Sequence, residues 1–244
     1  MKRMNPRKIQ VAAVIACRVS STRLFCKPLQ LVDNRSILEL IILQLKKSNC
    51  IKDIVLAISD KPGNEIFVEF ARKNSIKFIR GGEEDVLKRI ISGAKMVKAD
   101  IVVRVTSEDP FKYWHIIDKT IIDHIKSGSD LTFIENLPVG VGFEIVNLKS
   151  LIKSHKKSTK NDKEHVTSYI YKHQKDFKIK NFIVRPMFRR PELRLTVDYP
   201  EDLILVRKIM AKLRSKYLPN IVEIIQVLDR FPKLKEINRE FVKR

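Results

Sequence analysis

The sequence predicts an α/β protein: a mostly parallel sheet with helices on both faces, plus a small inserted α/β lobe. Two observations carry this. From Val11 to Val105, short β-rich apolar runs alternate with helical patterns, as in chains of βαβ units. The runs are also apolar throughout rather than alternating, so both faces of each strand are covered. At 244 residues the chain is long enough for one sizeable core. It shows no Pro/Gly/Ser-rich linker and no internal repeat. The expected organisation is a single domain over 1–244, with parts at about 9–135 and about 136–195 and closing helices at 196–244.

In order, VAAVIA (Val11 to Ala16) reads as a buried strand. SILELIILQLKKS follows as an apolar helix, opened by Ser36 and Glu39 at capping-box spacing. DIVLAIS (Asp53 to Ser59) is a strand, and NEIFVEFARKN (Asn64 to Asn74) a helix with Ile66, Phe67, Phe70 and Ala71 on one face. IKFI (Ile76 to Ile79) is a strand, EDVLKRIISGAKMV (Glu84 to Val97) a helix and DIVVRV (Asp100 to Val105) a strand. The second half is less regular. LTFIEN and FEIVN are short strands around the loop PVGVG (Pro138 to Gly142), and Leu148 to His155 is a helix. EHVTSYIYKH reads as a helix opened by EHVT, and NFIV and ELRLTV as strands. PEDLILVRKIMAKL is a helix with Pro200 at its start, and NIVEIIQVLDRF and a basic tail finish the chain.

The formal net charge is +21. Such charge suits nucleic acid or an anionic membrane surface. The lysines are scattered, however, with no interleaved aromatic residues and with excess at the ends (MKRMNPRK and REFVKR), so nucleic acid is not the expected partner. The same charge raises the encounter rate of phosphorylated substrates. No apolar run approaches the ~18–20 residues of a membrane helix. Cys17, Cys26 and Cys50 form no CxxC pair or zinc spacing, an odd and sparse set that fits a reducing cytosol. The basic start followed by IQVAAVIAC imitates a signal peptide with a lipoprotein-like VIAC box. Gln10 breaks that run, no polar spacer follows Cys17, and cleavage would remove the best first strand, so a cytoplasmic location is expected.

In parallel sheets ligands bind beyond the carboxyl ends of the strands. The informative loops therefore follow Ala16, Ser59, Ile79 and Val105. The first is RVSSTRLFCKPL (Arg18 to Leu29), with Arg18, Arg23 and Lys27 as cations. It is neither GxGxxG nor GxxxxGKS. Composition leaves open a triphosphate cradle, with arginine forks and a lysine point charge, and a solvated basic loop. Glu108 and Asp109 follow DIVVRV, and Asp198 follows ELRLTV. Strand-end carboxylates facing a triphosphate suffice for Mg²⁺, because phosphates and waters complete its shell. Either group could instead cap the helix that follows it. Gly140 and Gly142 before Glu144 suggest backbone close to a substrate, or simply a turn. His165 could carry a proton or meet an anion, or be structural.

Taken together, these pieces resemble the cytidylyltransferase family that includes the acylneuraminate and 3-deoxy-manno-octulosonate cytidylyltransferases, especially the branch typified by the spore-coat polysaccharide biosynthesis protein F. The family loop A-R-x-x-S-T-R-L-P-G-K stands here as C-R-V-S-S-T-R-L-F-C-K, Cys17 to Lys27. RGGEEDVLKR, VVRVTSEDP, PVGVGFE, EHVT and LTVDYPEDL follow in order. The resemblance implies a Rossmann-like nucleotidyltransferase sheet of the glycosyltransferase-A type, homodimerisation, and transfer of CMP from CTP to a small anionic sugar-like acceptor with Mg²⁺. It implies that Cys17, Arg18, Ser21, Thr22, Arg23 and Lys27 hold CTP, with Arg18 and Lys27 catalytic and Asp85 and Arg89 near the nucleotide. Glu108 and Asp198 match the metal positions, and Glu144, His165 and Arg194 fall on the acceptor side.

Two departures stand out. Phe25-Cys26 replaces Pro-Gly, and Cys26 lacks the freedom at positive φ that lets glycine approach a phosphate. Glu108 replaces an aspartate and is one methylene longer. Other readings are a transferase using GTP or UTP with a sugar 1-phosphate, and a non-catalytic basic nucleotide- or nucleic-acid-binding relative.

Overall fold

The computed structural model describes residues 9–213 and 218–242. The basic run MKRMNPRK lies outside them, as do the last two residues of REFVKR. The chain runs β1 (Val11–Cys17), a small hairpin of β2 (Leu31–Val32) and β3 (Arg35–Ser36), α1 (Ile37–Leu45), β4 (Asp53–Ser59), α2 (Glu65–Lys73), β5 (Lys77–Gly81), α3 (Val86–Met96), β6 (Ile101–Thr106) and α4 (Ile117–Ser127). There follow β7 (Leu131–Phe133), β8 (Glu144–Asn147), α5 (Leu148–His155), α6 (Lys160–Glu164), α7 (Ser168–Lys172), β9 (Ile179–Asn181), α8 (Pro200–Leu213) and α9 (Ile221–Arg230).

Seven strands form one sheet in the order β5-β4-β1-β6-β8-β7-β9. β1 pairs in parallel with β4 and β6, and β4 with β5, while β8 is antiparallel to both β6 and β7. β1 shows why its sequence is apolar without alternation. Val11, Ala13, Ile15 and Cys17 enter one core, shared with α1, α8 and α9. Ala12 and Val14 enter the other, shared with α3 and α5. A fully buried valine or isoleucine contributes roughly 1.5–3 kcal/mol, so the central strands anchor the fold. On the second face α3 comes close, because a Cβ on Gly93 would stand 3.2 Å from Val14 and Val55. Ser36 and Glu39 form the expected capping box at the start of α1.

After β1 the chain builds β4 and β5 on one side, then returns to place β6 on the other. The crevice at this reversal is where open α/β sheets bind ligands, and it brings the loop after β1 beside the loop after β6.

The second half departs from expectation in three places. The small lobe is present as β8, β7 and β9, which extend the main sheet. EHVT does not open a helix: α6 ends at Glu164, and His165 to Thr167 break it from α7, with Val166 at φ 39°. NFIV contributes to β9 only through Asn181, and ELRLTV is extended without being a strand. Leu193 and Leu195 bond backbone to Val139, and Val197 bonds to Glu108. Its partners lie in two different loops, so no ladder forms. Among the described residues, no helix is long and apolar enough to cross a membrane.

Candidate active site

The loop after β1 is held from several sides. Asn64 Oδ1 accepts from the Val19 amide (2.8 Å), and Ser20 donates to Glu83 (2.9 Å). Cys26 adopts the left-handed conformation, φ 47° and ψ 46°. A backbone shape natural to glycine is thus kept by a non-glycine residue, at a strain of roughly 1–2 kcal/mol. The expectation that Cys26 lacks that conformation is therefore corrected. The buried Cys26 side chain packs into the first core, and Lys27–Leu29 turn as a short 3₁₀ helix on buried Pro28. Phe25 points outward, 70% exposed.

The cations therefore face a cleft of about 530 Å³ lined by Arg18, Ser21, Thr22, Arg23, Lys27, Ser107, Glu108, Glu164, His165 and Asp198. Arg23 lies over the Tyr199 ring at 4.9 Å, and Arg18 reaches Glu164 at 3.4 Å. Lys27 Nζ lies 2.6 Å from Asp198 Oδ1.

Neither acidic position caps a helix. The Asp198 and Tyr199 amides donate to Asp202 Oδ2 (2.9 and 3.0 Å), so Asp202 caps α8 and the Asp198 carboxylate is left for Lys27 and Arg194. Against the cost of burial, those two cations hold Asp198 below the usual carboxylate range. Burial and the neighbouring Asp109 carboxylate push Glu108 upward, with Asp198 adding to the effect and Lys27 opposing it. Two acids that repel each other across a cationic cleft have the chemistry that would fit a divalent cation. Hard oxygen ligands of this kind suit Mg²⁺, which takes one or two carboxylates and completes its shell with phosphate and water oxygens. Among the described residues no three acid, histidine or cysteine groups form a closed metal cage.

The remaining candidates sit further back. Cys17 is buried, and its carbonyl accepts from Arg89. Arg89 is buried too, donating to the carbonyls of Cys17 and Ala57 (both 3.2 Å), so it ties together the ends of β1 and β4. Asp85 caps α3 through the Lys88 amide and meets His155 at 2.8 Å; it does not line the cleft. Arg194 is buried behind Asp198, bonded to Asp198 and twice to Asp202, and supports the cleft from beneath. His165 lies at the break after α6, on the cleft wall.

Glu144 lines a second cavity of about 320 Å³, together with Arg104, Phe133, Gly140 and Tyr171. It accepts from Arg104 (2.9 Å), Thr167 and Tyr171. Against burial, Glu144 keeps the Arg104 guanidinium firmly charged. Sequence reasoning missed Arg104, Glu164, Lys112 and Asp202. Asp202 carried a signal, an acid two residues after Pro200 in DYPEDL. Arg104 and Glu164 lay inside VVRVTSEDP and EHVT without a role, and nothing local marked Lys112.

A cationic loop after the first strand, facing two acids at the reversal of a parallel sheet, is an arrangement suited to a nucleotide's phosphates in an α/β protein. Residues 12–237 match the family model described as Cytidylyltransferase. The chain is 31% identical to the spore coat polysaccharide biosynthesis protein SpsF of Bacillus subtilis, over 90% of this chain and 94% of that protein. It is 32% identical to an uncharacterised protein of Methanocaldococcus jannaschii, over 94% and 95%. Among solved structures it resembles a cytidylyltransferase from Leptospira borgpetersenii, with TM-score 0.86 and 24% identity over 93% of this chain and 97% of that one. A CMP:2-keto-3-deoxy-manno-octonic acid synthetase complexed with CTP shares the fold at TM-score 0.62 and 16% identity, over 84% and 99%. The chain belongs to the cytidylyltransferase family and is a CTP-dependent nucleotidyltransferase.

Proposed function

We propose that this protein transfers CMP from CTP to a small anionic sugar-like acceptor and releases pyrophosphate, supplying an activated precursor for a surface polysaccharide or glycoconjugate. The observation that carries this reading is the single cleft in which Arg18, Arg23 and Lys27 face Glu108 and Asp198. The polysaccharide role rests on the Bacillus subtilis relative, and on a 28% identity over half the chain to a 3-deoxy-manno-octulosonate cytidylyltransferase of Chloroherpeton thalassium.

In the proposed reaction an acceptor oxygen attacks the α-phosphorus in line, a hydroxyl acceptor losing its proton to solvent. The bond from that phosphorus to the bridging oxygen breaks, and pyrophosphate leaves with the electron pair. Arg18, Ser21, Thr22 and Arg23 bind the phosphates, and Lys27 meets charge at the transferring group. Glu108 and Asp198 would hold Mg²⁺, which supplies charge neutralisation when bound. Lys27 then exchanges its bond to Asp198 for phosphate oxygens. The chain's contribution is positioning and preorganised charge.

The acceptor would occupy the second cavity, its hydroxyls meeting Glu144 and Tyr171, with His165 on the wall of the first cleft. We further place the protein in the cytoplasm as a homodimer, on the sparse cysteines and the family resemblance.

Calorimetry with Mg²⁺ and each nucleoside triphosphate, followed by a pyrophosphate-release screen over sugar acids and sugar phosphates, tests the reading. CTP is expected to bind and to be consumed with one acceptor class. Binding of no triphosphate and release with no acceptor would overturn it.

A further inference from the structure

Lys112 is a buried cation that the proposed chemistry does not use. Its side chain is 1% exposed. Its ammonium lies 2.7 Å from Asp109 Oδ2, 3.1 Å from the Gly140 carbonyl and 3.0 Å from the Gly142 carbonyl. Three acceptors satisfy the three donors of an ammonium. The buried charge is thus fully met, and it binds the turn after β6 to the loop before β8.

That loop grips the segment bearing Asp198. The Val139 amide donates to the Leu193 carbonyl and the Leu195 amide to the Val139 carbonyl, both at 2.8 Å. The Val197 amide, one residue before Asp198, donates to the Glu108 carbonyl at 3.0 Å. Gly140, at φ 92°, sits so close that a Cβ there would lie 2.6 Å from the Thr196 amide nitrogen and 2.9 Å from Asp109 Oδ1. The turn carrying Glu108, the loop 138–142 and the segment 193–198 are therefore one knot, with Lys112 at its centre.

We infer that Lys112 is a positioning residue, setting the separation and orientation of Glu108 and Asp198 and hence the affinity of the cleft for a divalent cation. The inference rests on the metal role proposed for those two acids. Groups that orient metal ligands typically change metal affinity by about 10–100-fold when removed. A merely structural role would lower stability and leave the affinity of the folded protein alone.

The test compares wild type with Lys112→Met, Lys112→Gln and the double variant Asp109→Asn/Lys112→Met. Removing one partner of a buried pair is destabilising, whereas removing both charges together is tolerated. The double variant is the arm expected to fold, because the amide oxygen that replaces a carboxylate oxygen at position 109 can still accept from Thr106. Thermal unfolding, CTP affinity without metal (calorimetry) and Mn²⁺ affinity of the CTP-saturated protein (electron paramagnetic resonance) are measured for each. The double variant should unfold below wild type, since the Gly140 and Gly142 carbonyls lose their donor, but above Lys112→Met; it should bind CTP as wild type does and Mn²⁺ about 10-fold or more weakly. Lys112→Gln, retaining amide donors, should lose less. Wild-type Mn²⁺ affinity in any folded variant lacking the ammonium would overturn the inference. Failure of wild type itself to bind CTP, or Mn²⁺ with CTP, would instead overturn the reading beneath it, and the inference with it.

Discussion

The two halves of the molecule hold their functional groups by different means. Up to Thr106, Arg18, Arg23 and Lys27 sit on a loop launched from β1, whose backbone is fixed by ladders to β4 and β6. Beyond Thr106, Asp198 sits on an extended segment with no ladder, fixed by buried charge: Arg194 bonds both Asp198 and Asp202, and Asn238 bonds Asp202 at 2.7 Å. A ladder spreads support over many peptide groups, so no one side chain is indispensable. Buried ion pairs concentrate support in a few residues, and losing one partner strands the others.

Mutations can break this contrast. The largest effect is expected from Asp202→Ala, which strands the buried Arg194 and leaves the amides of Asp198 and Tyr199 without their acceptor. It should cost about 3–5 kcal/mol in urea unfolding. Next, Lys27→Ala should lower turnover by about 10²–10³ with only a modest fall in melting temperature, because Asp198 keeps Arg194 as a partner. Unchanged turnover in steady-state assays would remove Lys27 from the transferring phosphate.

A third test uses pH. Asp162 is held below its usual range by Lys172, against burial and with help from Thr159 and Ser168. Its contribution to stability is present above the unfolded-state value of about 3.9 and is lost as pH falls toward the lower folded value. Melting temperatures followed from neutral pH into acid should drop less steeply for Asp162→Asn than for wild type. In the ladder half, Ile58→Val should cost only about 0.5–1.5 kcal/mol by chemical denaturation. Cys26→Gly should be smallest, within about 1 kcal/mol, as relief of left-handed strain offsets the lost burial and backbone entropy. A loss of several kcal/mol there would mean that the loop depends on the thiol.

The same contrast governs what the sequence reveals. β1, β4 and α1 announce themselves because local pattern and environment coincide: continuous apolar runs lie between two cores, and a capping box opens the helix. Leu193, Leu195 and Val197 also alternate as a strand would, and they are buried. Their partners are single residues far along the chain, which no local pattern encodes. Lys112 is the extreme case, since a lysine in DPFKY reads as solvated until Gly140 and Gly142 are seen to close over it. Arg18, Lys27 and Glu108 were legible because they follow strands of the parallel sheet, and the fold brings those ends together, whereas Asp198 follows an apolar run that only resembles a strand.

The central claim is that the cleft transfers cytidylate with a divalent cation held by Glu108 and Asp198. Mg²⁺-dependent pyrophosphate release from CTP, measured for wild type and Asp198→Asn over the same acceptor panel, tests it most directly. The account predicts release by wild type with one acceptor class and a rate lower by about 100-fold or more for the variant. Equal release by a folded Asp198→Asn protein would contradict it.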